Sequence, residues 1–345
     1  EADELCPAAG VFTQNVFCAA PVTVSREHLD GVGYGFARAM VINSGIANAA
    51  TGSVGLENAR KTADIVASAV GCMSEDVLVA STGIIGQQLD IAPFETGVPA
   101  LHGIIGETTG NSAARAIMTT DTVSKEAAVS FETAAWVPAE QAREASPPKY
   151  WLVTVSSATI PNSSLMPNMA TMISVLTTDA PIPAALLHKA LSSAVNQSFN
   201  KVTVDGDTST NDTLILMSSG LAKNPEITCE DKNYEKFENA LYAVMMNLAR
   251  ETARDGEGAT KLLECIVKGA PDENTARVVA KSVISSSLVK AAMFAADANW
   301  GRILCAIGYA KADFDITKVS VELASEKGKV TVCTNGAGVS FSEES

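Results

Sequence analysis

The sequence predicts an α/β protein in which sheets are layered against helices. Strand-like and helix-like apolar patterns alternate in an irregular order, two long segments have strongly apolar helical faces, and the closing residues read as an antiparallel hairpin. In chain order, "RAMVINSG" (38–45) is a buried strand running into a Gly-containing loop. "LENARKTADIVASAVG" (56–71) follows with helical spacing at Ala59, Thr62, Val66 and Ala69 and closes on Gly71. "DVLVASTGIIG" is a strand ending in a Gly turn, so this region reads strand, helix, strand.

Further on, "AALLHKALSSAVNQSFN" places Leu187, Leu191, Ala194 and Val195 on one helical face, and "YEKFENALYAVMMNLARETA" does the same with Phe237, Leu241, Val244, Met245 and Leu248. "KVTV" and "LLECIVKG" are strand candidates, and "KVSVELASEKGKVTVC" is a hairpin about Gly328. The stretch 139–164, which is rich in Ser and contains Pro147, Pro148 and Pro161, is expected to be a loop or an insertion.

Bulk properties narrow the function. The chain has 345 residues, 47% of them hydrophobic and 19% charged, enough for a substantial core. A net charge of -14 argues against a nucleic-acid partner, which requires a basic surface. No apolar run approaches the roughly 20 residues that span a bilayer, so no membrane partner is expected, and the first residues lack the pattern of a secretory leader. Seven scattered cysteines with no CxxC spacing suggest free thiols in a reducing compartment, and the three isolated histidines argue against a zinc site.

Four clusters of small polar residues interrupt the apolar pattern: "NSGIANAATG" (43–52), "STGIIG" (81–86), "DGDTSTNDT" (205–213) and "DGEGATK" (255–261). Such loops can aim backbone N–H groups at a developing anion. Taken alone, each reads first as an ordinary turn. "GVGYGF" (31–36) lacks the positions of a dinucleotide fingerprint and is expected to be a loop. "DGDTSTND" imitates a calcium loop but has Thr210 where glycine is needed.

"PNMATM" (167–172) poses a chemical question, because a threonine hydroxyl such as that of Thr171 needs activation to act as a nucleophile. Together with "GVFTQNVFCAAPV" (10–22), "NSGIANAATG", "STGIIG", "AARAIMTTDT" (113–122), "SFNKVTVDGDTSTNDT" (198–213), "DGEGATKLLE" (255–264), "SSLVKAA" and "NWGRI", it resembles the glutamate N-acetyltransferases, or ornithine acetyltransferases, of cyclic arginine synthesis. The pieces occur in family order across most of the chain.

The resemblance implies a layered α-β-β-α sandwich of the N-terminal-nucleophile-like type. It implies self-cleavage between Ala170 and Thr171, dividing the chain into an α portion (1–170) and a β portion (171–345) that stay associated as an (αβ)2 assembly. The α-amine freed on Thr171, with a pKa near 7.7 to 8.0, would then activate its hydroxyl. It further implies acetyl transfer from N-acetylornithine to glutamate through an acetyl-threonine ester. Thr82 and Gly83 would form the oxyanion hole, and Thr119, Thr120, Thr171 and Glu257 would contact substrate. No metal or cofactor is implied; acetyl-CoA as a second acetyl donor stays open. The compartment implied is cytoplasm in bacteria, and mitochondrion or plastid in eukaryotes.

The sequence departs from the pattern in places. Where the family carries Lys-Gly-x-Gly-Met-Ile before its Pro-Asn-Met-Ala-Thr, this chain reads "IPNSSL", with Ile160 at the lysine position. Ile46 replaces the second Asn of "NSGNAN". The first residue is expected to fall inside the family's first conserved region, and the last before its closing Trp-Gly-Cys-Asp-Leu segment. Two alternatives therefore stand beside the acetyltransferase: a catalytically impaired relative, and an N-terminal-nucleophile peptidase of related fold.

Overall fold

The computed structural model describes residues 1–106, 110–132, 149–158, 172–204, 206–256 and 258–341. They form two compact units, Glu1–Gly258 and Ala259–Ser345.

The elements of the first unit are β1 (Cys6–Phe12), α1 (Ala20–His28), β2 (Tyr34–Ala37), β3 (Ala39–Ile46), α2 (Gly52–Val70), β4 (Val77–Ile84), α3 (Ala92–His102), α4 (Gly110–Ala116), β5 (Lys125–Glu132), β6 (Lys149–Ala158), β7 (Met172–Thr178), α5 (Ala184–Gln197), β8 (Thr213–Ser218) and α6 (Lys232–Arg254). Six strands make one sheet in the order β2-β1-β8-β7-β6-β5, in which β7 and β8 run parallel and the other pairs antiparallel. β3 and β4 make a separate parallel pair.

Alternation along β8 shows how the layers stack. Leu214 and Leu216 enter a core with Leu187, Leu191, Phe237, Leu241 and Met245 of α5 and α6. Ile215 and Met217 face the other way, into a core with Val22 and Leu29 of the α1 region and Leu78 of β4. With period 2, one strand thus serves two opposite cores. Beyond β3 and β4, α2 packs Ala59, Ala63, Val66 and Ala67 against Ala39, Val77 and Val79. The resulting order of helices, sheet, sheet, helices is the layered α-β-β-α arrangement expected.

Local chemistry sets the helix limits. α2 stops because Gly71 adopts a left-handed φ of 77° and returns its N–H to Ala67 O. α6 starts at Asp231, whose carboxylate accepts from the N–H groups of Asn233 and Tyr234, a cap worth about 1 kcal/mol.

The second unit holds α7 (Glu273–Ser285), α8 (Ser287–Phe294), α9 (Trp300–Gly308), β9 (Val321–Ser325), β10 (Gly328–Thr334) and β11 (Ala337–Gly338). β9 and β10 are the hairpin predicted about Gly328, pairing Gly328 with Ser325.

Four expectations need correction. Residues 149–158, placed in a loop or insertion, are strand β6, paired on one side with β5 and on the other with β7; the prolines and serines flanking "KYWLVTVSSA" hid a segment of good β-formers. "GVGYGF" is only partly a loop, because Tyr34–Ala37 pairs with β1. "KVTV" is not a strand: Lys201 and Val202 donate their N–H groups back to Ser198 and Phe199, which places the backbone in a turn. "LLECIVKG" shows strand-like alternation, with Leu263, Cys265 and Val267 half-buried and Glu264, Ile266 and Lys268 exposed, but it has no ladder partner among the described residues.

Candidate active site

The parallel register of β3 and β4 brings two of the small-residue clusters side by side. Ser44 lies opposite Thr82 and Gly45 opposite Gly83. Both glycines have positive φ, 110° and 130°, and a Cβ on Gly83 would lie 2.2 Å from the Gly45 carbonyl carbon. Only glycine fits such a contact, because the obstacle is backbone. Side chains fix the loops further: Ser81 Oγ donates to Asn43 Oδ1 at 2.6 Å, and Asn43 Nδ2 donates to Ile46 O at 2.9 Å. Ser81 and Thr82 are buried.

The third cluster ties these loops to the sheet. Asn211, just ahead of β8 and 1% exposed, gives both amide hydrogens away, to Ala47 O at 2.6 Å and Ser81 O at 2.7 Å. The next residue, Asp212, is equally buried, and its Oδ1 accepts the backbone N–H of Met172 at 2.7 Å. Its second oxygen, Oδ2, is buried as well. Burial pushes the Asp212 carboxyl well above the usual carboxylate range, against the opposing hydrogen bonds from Met172 and Ser209. Consecutive side chains thus hold the carbonyl that precedes Thr82 and the first residue of β7.

The "TQN" motif of 13–15 closes the same region. Thr13 N donates to Asp212 O at 2.9 Å, Thr13 Oγ1 donates to Ser209 O, and Asn15 Nδ2 donates to Thr208 O at 2.6 Å. The second half of "NSGIANAATG" has a different task. Asn48 is fully buried with φ 49°, donates to Gly55 O at 2.9 Å and accepts from Thr51 Oγ1 at 2.8 Å, bracing the start of α2.

Ser44 Oγ donates to Ala116 O at 3.1 Å, linking the β3 loop to the end of α4 and to the turn that follows. In that turn Thr119 and Thr120 are exposed, while Asp121 beneath them is buried. Asp121 and Asp255 both accept from Lys125 Nζ at 2.6 Å, so the "MTTD" turn and the first residue of "DGEG" share one cation.

Of the residues singled out in the sequence, Thr82, Gly83, Thr119 and Thr120 are described: Thr82 and Gly83 at the end of β4, Thr119 and Thr120 in the turn after α4. Ala170, Thr171, Ile160 and Glu257 lie outside the described residues, although their neighbours Met172 and Asp255 are placed. Asn211, Asp212, Lys125 and Asp255 were not singled out. A polar triplet, Asn211 to Thr213, directly before the wholly apolar run "LILM" was the available signal for the first two. An Asp–Lys pair spaced i, i+4 was the signal for Lys125.

Buried polar side chains that converge on glycine-lined strand ends define an α/β protein with a preorganised loop site. The sequence profile of the ArgJ family matches residues 1–345. The chain is 42% identical over 339 residues to the arginine biosynthesis bifunctional protein ArgJ 1 of Clostridium acetobutylicum, covering 98% of this chain and 79% of that protein. It is 45% identical over 318 residues to the corresponding protein of Lactococcus lactis, covering 92% and 75%. A crystal structure of the arginine biosynthesis bifunctional protein ArgJ from Bacillus halodurans is matched at 45% identity over 49% of this chain and 76% of that one, with a TM-score of 0.45. The chain belongs to the ArgJ family. None of the helices among the described residues is long and apolar enough to cross a membrane.

Proposed function

We propose that this chain is a self-processing acetyltransferase of arginine synthesis that moves acetyl from N-acetylornithine to glutamate. The observation that carries the reading is the pair Asn211–Asp212: one side chain holds Ser81 O, ahead of Thr82 and Gly83, and the next holds the N–H of Met172, the residue after Thr171. It supports placing nucleophile and oxyanion donors in one site.

In the self-cleavage step, Thr171 Oγ attacks the Ala170 carbonyl and the acyl group shifts from nitrogen to oxygen. Water then hydrolyses the ester, leaving chains 1–170 and 171–345. In turnover, Thr171 Oγ attacks the acetyl carbonyl of N-acetylornithine while its own α-amine takes the hydroxyl proton. Backbone N–H groups of Thr82 and Gly83 hold the oxyanion; losing one such donor costs on the order of 10²-fold in rate. Collapse of the intermediate expels ornithine, whose amine takes the proton from the α-ammonium. The glutamate amine then attacks the acetyl ester, its C–O bond breaks, N-acetylglutamate leaves, and the proton lost by the attacking amine returns to Thr171 Oγ. Thr119, Thr120 and Glu257 contact the substrates, and the cleaved chains pair as (αβ)2. Acetyl-CoA serves as a second donor if the chain is bifunctional.

A second reading, an ArgJ-family chain without turnover, is favoured by Ile160 at the family's lysine position. Acetyl transfer from N-acetylornithine to glutamate, followed by chromatography beside a Thr171→Ala control, separates the two. N-acetylglutamate formed only by the unaltered chain supports the transferase, and none formed by either supports the second reading.

A further inference from the structure

A buried ion cluster lies under the Thr119–Thr120 turn, and the chemistry above does not use it. Lys125, at the start of β5, has a side chain 1% exposed. Its three ammonium hydrogens have three acceptors: Asp121 Oδ1 and Asp255 Oδ2, each at 2.6 Å, and Val123 O at 3.3 Å. The two carboxylates reach onward. Asp121 Oδ2 accepts the N–H of Thr119 at 3.2 Å, while Asp255 accepts the N–H of Thr122 at 3.1 Å and also its Oγ1 hydrogen. Asp255 caps the C-terminus of α6, where the helix dipole favours a cation.

The bonds named here end on the turn or on Asp255, the cap of α6 and first residue of "DGEG". Buried ion clusters of this kind seldom add stability over an apolar filling, because desolvating the charges offsets their attraction. What they supply is direction, since each bond fixes an angle as well as a distance. Thr119 and Thr120 are exposed, so packing does not hold them; Asp121 holds the N–H of Thr119 and Asp255 holds Thr122, one on each side of Thr120.

We propose that Lys125 is the positioning residue of the substrate-binding turn: through Asp121 and Asp255 it sets the Thr119–Thr120 backbone against the end of α6 so that the turn grips the acetylated diamino acid. The proposal rests on the acetyltransferase reading. A device of this kind acts on substrate binding and leaves the acyl-transfer atoms untouched.

The test compares Lys125→Met, Lys125→Arg and Thr122→Val with the unaltered chain, measuring self-cleavage by intact mass and kcat and KM for N-acetylornithine. Lys125→Met is expected to raise KM about 10-fold with kcat within about 3-fold, and Lys125→Arg to recover most of the loss. Thr122→Val, at an exposed position that leaves the three charges paired, is expected to raise KM about 3-fold, and it carries the test if Lys125→Met fails to fold. An unchanged KM in every folded variant, with the unaltered chain active, overturns the inference alone. An unaltered chain that neither cleaves nor transfers acetyl overturns the acetyltransferase reading, and the substrate role of Lys125 falls with it.

Discussion

The two units bury polar groups for different reasons. In Ala259–Ser345 the buried polar side chains among the described residues are Thr275 and Ser286, both at helix starts: Thr275 N donates to Asp272, and Ser286 Oγ accepts from Val289 N. Beside them opens a pocket of about 490 Å³ lined by Leu263, Val283, Val289 and Ile303 and by charged residues such as Lys268 and Glu322. In Glu1–Gly258, Asn211, Asp212, Ser81 and Lys125 are buried and bond between elements distant in sequence: Asn211 to Ser81 of β4, Asp212 to Met172 at the start of β7, and Lys125 of β5 to Asp255 at the end of α6. Polar burial within one helix start is structural housekeeping, whereas polar burial that joins elements distant in sequence marks where the molecule needs a fixed surface.

The comparison can be broken at its glycines first. Gly83→Ala drives a Cβ into the Gly45 backbone and is expected to cost about 3 kcal/mol or more, and to abolish acetyl transfer. Gly269→Ala in the second unit also sits at positive φ but meets nothing within 4 Å, so it is expected to cost about 1 kcal/mol and leave turnover alone. Urea unfolding of both variants beside kinetics checks the contrast. Asn211→Ala leaves the carbonyls of Ala47 and Ser81 unpaired, with an expected loss of about 2–3 kcal/mol in the same experiment.

Asp212 gives a pH signature. Its folded pKa is raised by burial, so the stability associated with its protonated form is full below the unfolded pKa of about 3.9 and is lost as pH rises toward the folded pKa, at about 1.4 kcal/mol per pH unit. Unfolding free energies measured at a series of pH values above 4 are expected to fall less steeply for Asp212→Asn than for the unaltered chain. The smallest expected effect lies in the second unit, where Ser286→Ala removes a cap worth about 1 kcal/mol and leaves KM and kcat unchanged.

The parts of this contrast differ in how far sequence could reach them. Helices α2, α5 and α6 were legible because a 3.6-residue period and a closing Gly71 are local signals. β6 was not, since its strand character depends on two partners distant in sequence, β5 and β7. "LLECIVKG" failed in the opposite sense: a period-2 pattern states which face is apolar and says nothing about whether a neighbour supplies hydrogen bonds. At the site, ordered motifs made Thr82, Gly83, Thr119 and Thr120 visible. The roles of Asn211 and Asp212 depend on contacts across 130 and 40 residues, and no local window contains them.

The most direct test of the central claim is the intact mass of the purified chain beside Thr171→Ala. Two fragments divided between Ala170 and Thr171, absent in the variant, are expected. A single uncut chain of 35.8 kDa from the unaltered sequence would contradict it, because Thr171 would then never acquire the free α-amine on which its activation depends.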